Sequence, residues 1–298
     1  MKVRFWGTRG SIPTPGKDTV RYGGNTPCVE VRLPDDSLVI FDAGTGIRGL
    51  GDALTSAGES VTAYVAISHP HWDHIQGFPF FKPAFISGNE LTILGAQSRN
   101  ITLRQMIAYM MDKAYFPIQL NELKAKIRFQ PIKEETVSVF GATLSSIYVN
   151  HPEFALGYRL SIGGKSIVYI SDNEPFDREV ARSMKNVDRR VVESYLKSKG
   201  DPNQRIFDFA RGADLLIHDT TYTPEEYVSH VGWGHSHYLF TLKVADEAGV
   251  KQLVLYHHDQ THNDDKIDEI HQKCIKEIKT RNYSFECVAA AEGLELWC

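Results

Sequence analysis

Three imidazoles and a carboxylate fall within six residues of this chain, in the stretch Ser68-His69-Pro70-His71-Trp72-Asp73-His74. Neutral imidazole and carboxylate are the donors that borderline divalent metals take, and no cysteine stands nearby to make a thiolate site. A helix lines up only positions three or four apart, so it cannot turn all four groups to one point. A tight loop at a strand end can, by sending alternating side chains into two adjacent pockets. The apolar run of residues 61–67 directly precedes the stretch and reads as such a strand. A single histidine here would read as a packed or surface residue. Four together read as a metal site.

The arrangement recurs. Apolar runs end at Asp42, His69, Asp172, His218 and His257, which places ligand-type or acid–base side chains along one edge of a sheet system. Loops at strand ends on a rigid scaffold are where α/β proteins put their chemistry. Asp42 reads first as a partner that orients a ligating histidine and second as a ligand itself. His151 follows a further alternating stretch, and Gly234-His235-Ser236-His237 opens a helix with Ser236 as its N-cap.

Other elements must hold these groups in place. Residues 1–6 and 28–33 alternate as strands, and residues 38–41 form another. Gly7-Thr8-Arg9-Gly10-Ser11 reads as a plain turn in preference to an anion cradle. Residues 13–27 read as a long loop that walls the site or meets a second subunit. Leu103, Met106, Ile107, Met110, Met111 and Ala114 recur at helical spacing. Tyr115 and Phe116 then leave that helix, either to cover a pocket or to fill the core. Residues 127–149 alternate again, with Gly141 as a turn. Helices are expected between Asp172 and Gly212, with Asp201-Pro202 as cap and first-turn pair, and Gly249 closes the helix that follows His237. A last amphipathic helix carries Ile267, Ile270, Cys274 and Ile278, and a strand ends the chain.

Composition bounds the rest. With 298 residues, 42% hydrophobic and 23% charged, the chain suits one soluble globular domain or a domain with an insertion. A net charge of −4 excludes an overall basic field for gripping nucleic acid and leaves only a local patch such as Lys124, Lys126 and Arg128. The four cysteines are scattered without a CxxC pair, which argues for a reducing compartment and against a disulfide framework. No run approaches membrane-spanning length, and the first residues lack the apolar core of a signal peptide. A cytoplasmic protein is expected.

The motif His69-Pro70-His71-Trp72-Asp73-His74, followed in order by His151, Asp172 and His257, resembles that of the metallo-β-lactamase superfamily of binuclear metallohydrolases. The resemblance covers nearly the whole chain. It implies an α/β fold, an αββα sandwich of two mixed β-sheets flanked by helices, as a single domain over 1–298 with a helical insertion around 98–126. It further implies two divalent metal ions, zinc first, with manganese or iron as alternatives. His69, His71 and His151 would hold one ion, Asp73, His74 and His257 the other, and Asp172 would bridge them. His258 is expected to support the ligands. Histidine at position 71 sets the chain apart from the flavodiiron branch, which has a carboxylate there.

Two further segments narrow the resemblance. Ala213-Asp214-Leu215-Leu216-Ile217-His218-Asp219-Thr220-Thr221 is similar to the HEAT-type segment of tRNase Z-like phosphodiesterases, and Gly234-His235-Ser236-His237 to their HST segment. The resemblance implies that His235 faces the scissile phosphate and that Asp219 orients it. The chain departs from the pattern at position 219, Asp for the commoner Glu, and at position 237, His for Thr. A phosphodiester leaves as an alkoxide and gains from a positioned acid, a need that β-lactam or thioester cleavage lacks. The catalytic set is therefore read as Asp73, His235 and Asp219, and the substrate contacts as His235, Ser236, Tyr115 and Phe116. The substrate expected is a cyclic nucleotide, with nucleic acid second and no membrane partner, acted on by a homodimer. The alternatives are a tRNA 3′-end endonuclease and, from another class, a non-catalytic metal-binding scaffold.

Overall fold

Leu38 and Ile40 pack to one side of their strand and Val39 and Phe41 to the other, all four fully or nearly buried. Burial on both faces, set by the two-residue period of a strand, requires cover on both faces. The computed structural model, which describes residues 1–58, 60–97, 101–176 and 200–298, supplies that cover. Strands β1 (Lys2–Gly7), β2 (Cys28–Arg32), β3 (Leu38–Phe41), β4 (Thr62–Ile67), β5 (Glu90–Gly95) and β6 (Lys126–Pro131) join the last strand, β14 (Glu295–Trp297). They form a seven-stranded sheet of order β14-β1-β2-β3-β4-β5-β6, antiparallel as far as β3 and parallel from β3 to β6.

The second sheet repeats the plan. Strands β7 (Thr136–Val139), β8 (Ala142–Tyr148), β9 (Leu156–Ile162), β10 (Lys165–Ile170), β11 (Leu215–Asp219), β12 (Gln252–Tyr256) and β13 (Glu286–Ala289) stand in the order β13-β12-β11-β10-β9-β8-β7. Pairing is antiparallel from β7 to β10 and parallel from β10 to β13. The two inner faces share one core, in which Phe41 stacks between Tyr158 and Tyr169. The outer face of the first sheet is covered by α1 (Gly46–Ser56) and α3 (Leu103–Met110), and a four-residue helix, α2 (Trp72–Ile75), follows β4. The second sheet is covered by α4 (Gln204–Ala210), α6 (Tyr238–Ala248) and α7 (Asp264–Arg281), with the short α5 (Pro224–Tyr227) before α6. This is the αββα sandwich.

Several expected boundaries move for local reasons. The cap of α4 is Asn203, not Asp201, because Asp201 Oδ1 accepts from the Asn203 backbone N–H and turns the chain first. The cap of α6 is His237, whose ring accepts from Phe240 N, since the Ser236 hydroxyl is spent on the Asn173 carbonyl. Residues 13–27 are a loop apart from a single turn at Lys17–Thr19, and its far end is tied to the chain's own C-terminal third. Tyr22 OH donates to Asp268, and Asn25 donates to Glu292. Positions 98–100, the start of the expected insertion, and the helical pattern expected over 177–199 lie outside the described residues.

Candidate metal centre

The site forms where parallel strands of both sheets end side by side. β3 and β12 each close on a residue in left-handed backbone, Asp42 at φ 59° and His257 at φ 60°. Such a conformation is uncommon for any residue but glycine and persists where surrounding contacts hold it. At Asp42 those contacts are hydrogen bonds. Its carboxylate accepts from Ser68 N at 2.7 Å, Ser68 Oγ at 2.8 Å, Tyr169 OH at 2.7 Å and His74 Nδ1 at 2.8 Å. Asp42 thereby fixes the ring of His74 with Nε2 turned inward, the orienting task and not the ligand task. Past β4, His71 is the extended residue before α2, and that one turn carries Asp73 and His74 to the buried side.

The ligand-type atoms converge in overlapping groups: His69, His71 and His151; His69, His74 and Asp172; Asp73, His74 and His257; and Asp172, His235 and His257. Within each group the atoms lie within 4.8 Å of one another. Asp172 touches nearly all of it, with oxygens 3.6 Å from His69 Nε2, 3.2 Å from His74 Nε2 and 3.5 Å from His257 Nε2. Nε2 of His69, His74 and His151 and Oδ1 of Asp172 are buried without a well-directed hydrogen bond, although His74 Nε2 and Asp172 Oδ1 lie 3.2 Å apart. Buried polar atoms are normally paired, and four facing orphans cost far too much to persist for packing alone. Nitrogen and oxygen donors with no thiolate fit divalent metal, zinc foremost.

The charges follow from this crowding. Burial pushes the His69, His71 and His151 imidazoles down, His151 to about 4, so these rings are neutral and free to ligate. Burial also opposes the charged form of His74, but Asp73, Asp172 and Asp42 outweigh it and hold that ring well above the usual range. Burial works against the Asp73 and Asp172 carboxylates too, yet the surrounding histidines keep both well below theirs.

His235 stands at the edge. Its Nδ1 lies 3.2 Å from Asp219 Oδ2 and 3.7 Å from Asp172 Oδ2, and its ring stacks on His257 at 4.9 Å. Against the penalty of burial, Asp219 and then Asp172 and Asp73 raise it to about 9. Asp219 is itself immobilised, accepting from Asn173 N, Ser236 N, Thr221 N and Thr221 Oγ1.

Not every expected residue arrives. His218, one residue before the end of β11, lies on the helix-facing side, its Nδ1 on the Asp219 carbonyl and its ring against Phe240, because strand alternation sends only Asp219 toward the cluster. The Ser236 hydroxyl donates into the fold, as above. Tyr115 is 84% exposed, while Phe116 packs edge-on against Phe80 on the helix-covered face of the first sheet. His258 bonds the Ala290 carbonyl and supports the site only through backbone pairing with Thr8 and Gly10. That pairing matters, for residues 7–11 form more than a turn. Ser11 N donates to Asp73 Oδ2 at 2.9 Å, and Gly10 lies flat on the His257 imidazole where any Cβ would collide. Its glycines did permit close approach, but nothing in their spacing named the ring they approach. Glu174 was missed altogether. It accepts from Gly232 N, Gly234 N and Tyr227 OH and anchors the loop that leads to His235.

Residues 38–203, more than half of the chain, match the beta-lactamase superfamily domain. The chain belongs to the beta-lactamase superfamily. Within the superfamily it is a metal-dependent hydrolase. It is 24% identical to the Ribonuclease Z of Staphylococcus aureus (strain MSSA476), over 96% of this chain and 97% of that one. The metallo-beta-lactamase fold protein YhfI from Bacillus subtilis superposes with a TM-score of 0.68 at 18% identity, covering 99% and 98% of the two chains. The short form of human tRNase Z superposes with a TM-score of 0.64 at 18% identity, covering 100% and 99%. Among the described residues no helix is long and apolar enough to cross a membrane.

Proposed function

We propose that this superfamily member is a binuclear phosphodiesterase that hydrolyses a small cyclic phosphodiester, a 3′,5′-cyclic nucleotide, to the monophosphate. The observation that carries the reading is the Asp219–His235 pair, 3.2 Å apart and beside Asp172. A metal-binding scaffold has no use for a charged, carboxylate-held imidazole at the rim of its ligands. In this reading His69, His71 and His151 would hold one ion, Asp73, His74 and His257 the other, and Asp172 both. Bound there, two divalent ions would supply an activated water and neutralise charge on the phosphoryl oxygens.

The chain's own residues do the rest. Asp73, fixed by Ser11 N and flanked by His74 and His257, orients the attacking water. Asp219 accepts a hydrogen bond from Nδ1–H of His235 and leaves Nε2 to face the scissile ester. A protonated His235 donates from Nε2 to the departing alkoxide oxygen, the step a cyclic nucleotide needs. Tyr115, exposed beyond α3, serves as an outer contact to substrate, and Phe116 braces that segment on Phe80.

The stretch between His151 and Asp172 supports a small substrate. It holds β9 and β10 joined by Gly163-Gly164, a tight hairpin with no room for the long Gly/Pro-rich arm common among tRNA-processing relatives. A second reading, tRNA 3′-end cleavage, is favoured by the end-to-end match to proteins named Ribonuclease Z. Metal-loaded protein assayed on purine and pyrimidine cyclic nucleotides, a precursor tRNA and bis(p-nitrophenyl) phosphate separates the two. His235→Ala should retain its metal and lose on the order of 10²–10⁴ in rate on the cyclic nucleotide. It should keep most of its turnover of bis(p-nitrophenyl) phosphate, whose leaving group departs without an acid. Equal losses on both substrates would remove the general-acid role.

A further inference from the structure

Trp233 is 59% exposed, although the loop that carries it is hydrogen-bonded on both sides of it. Gly232 N and Gly234 N, on either side of it, donate to the Glu174 carboxylate at 2.7 and 3.0 Å, and Trp233 N donates to His230 O at 3.1 Å. Gly234, at φ 89°, also packs so closely on His151 that a Cβ would overlap that ring and Pro152. A frayed loop would explain an indole in water, but this one is pinned on both sides.

A file of rings connects the indole to the catalytic end. His235 packs edge-on against Tyr222 at 5.9 Å, Tyr222 stacks on His230 at 4.6 Å, and His230 meets Trp233 edge-to-face at 5.0 Å. Trp233 is thus the exposed end of an aromatic wall that starts at His235, in a loop packed on His151. A planar heteroaromatic ring one sugar away from a phosphate at His235 would meet an indole face.

We infer that Trp233 is the platform on which the nucleobase of the substrate stacks, held in place by Glu174 through Gly232 and Gly234. The inference rests on the phosphodiesterase reading and adds the part of the substrate that reading leaves open. Stacking on an indole is tolerant of base identity, so purines and pyrimidines should both use it. Trp72, 77% exposed between His71 and Asp73, is the competing ring. Among the described residues it has neither the anchored loop nor the ring file to His235.

Calorimetric titration of the metal-loaded protein with adenosine 5′-monophosphate, uridine 5′-monophosphate and ribose 5-phosphate reads the base separately from the phosphate. Wild type should bind both nucleotides more tightly than ribose 5-phosphate, by about ten-fold or more. Trp233→Ala and Trp233→Leu should erase that preference and leave ribose 5-phosphate affinity as it was, while Trp233→Phe keeps most of it. Trp297→Ala, at the opposite end of the first sheet, is the control for removing a surface indole and should change nothing. Equal affinity of wild type for nucleotide and ribose 5-phosphate would overturn the assignment, as would a preference abolished by Trp72→Ala but untouched by Trp233→Leu. Absence of any phosphodiester turnover would take down the underlying reading and this one with it. Turnover without base preference removes Trp233 alone.

Discussion

The two halves of the ligand cluster are built from similar side chains and braced very differently. His69, His71 and His151 lean on little. Ser68 Oγ lies 3.1 Å from His69 Nδ1, and the Glu153 carbonyl lies 3.3 Å from His151 Nδ1, while His71 packs its ring on His69 and His151 and opens to solvent on its outer side. Asp73, His74 and His257 are all buried; Asp42 and Thr221 Oγ1, at 3.1 Å from His257, grip the two rings from behind, and Ser11 N holds Asp73 at the oxygen that faces them. Groups that hold the far side of a ligating side chain fix its orientation and raise its affinity for metal. The first half is therefore the loosely braced one, and the second is the rigid one. One carboxylate, Asp172, belongs to both.

The sharpest way to break that comparison is to remove the shared group. Asp172→Ala should cost on the order of 10³-fold or more in turnover of any phosphodiester and lower the metal content of both halves, because charge stabilisation worth several kcal/mol is lost at once. Metal analysis showing a single ion displaced would mean that the halves are independent.

A smaller effect separates them. Under a slow chelator, wild type should release one ion well before the other, and His71→Ala should speed only the early phase. Asp42→Asn should speed only the late phase, with a loss of about 10–100-fold in affinity at that ion. An Asp42 variant that altered the early phase would place its influence on the wrong half.

The smallest effect lies outside the cluster. Tyr115→Ala should change KM for a cyclic nucleotide by no more than about two-fold, the usual reach of an exposed side chain. A shift as large as that expected of Trp233→Ala would move the main aromatic contact to the segment that follows α3.

The strands were legible because a two-residue period leaves a mark. Leu38 and Ile40 against Val39 and Phe41, or Val168 and Ile170 against Ile167 and Tyr169, record two buried faces in one dimension. The crowding of His69, His71, Asp73 and His74 was equally local, since a strand end and one helical turn suffice to gather it. Composition already spoke against a disulfide-stapled or membrane-spanning chain.

What the tertiary structure alone decided concerns residues far apart in the chain. Gly10 lies on His257, Ser11 N caps Asp73, Asp42 turns His74, and Glu174 pins the loop of Trp233. None of these pairs has a spacing that a helix or strand repeats, so no periodicity records them. His218 and Asp219 make the limit plain. They are adjacent and both polar, and which one faces the cluster depended on the register of β11 between β10 and β12. Two sheets must first pack face to face before that register gains a consequence, because only burial of Leu215 and Ile217 against the opposite sheet commits Asp219 to the site and His218 to the helices behind it.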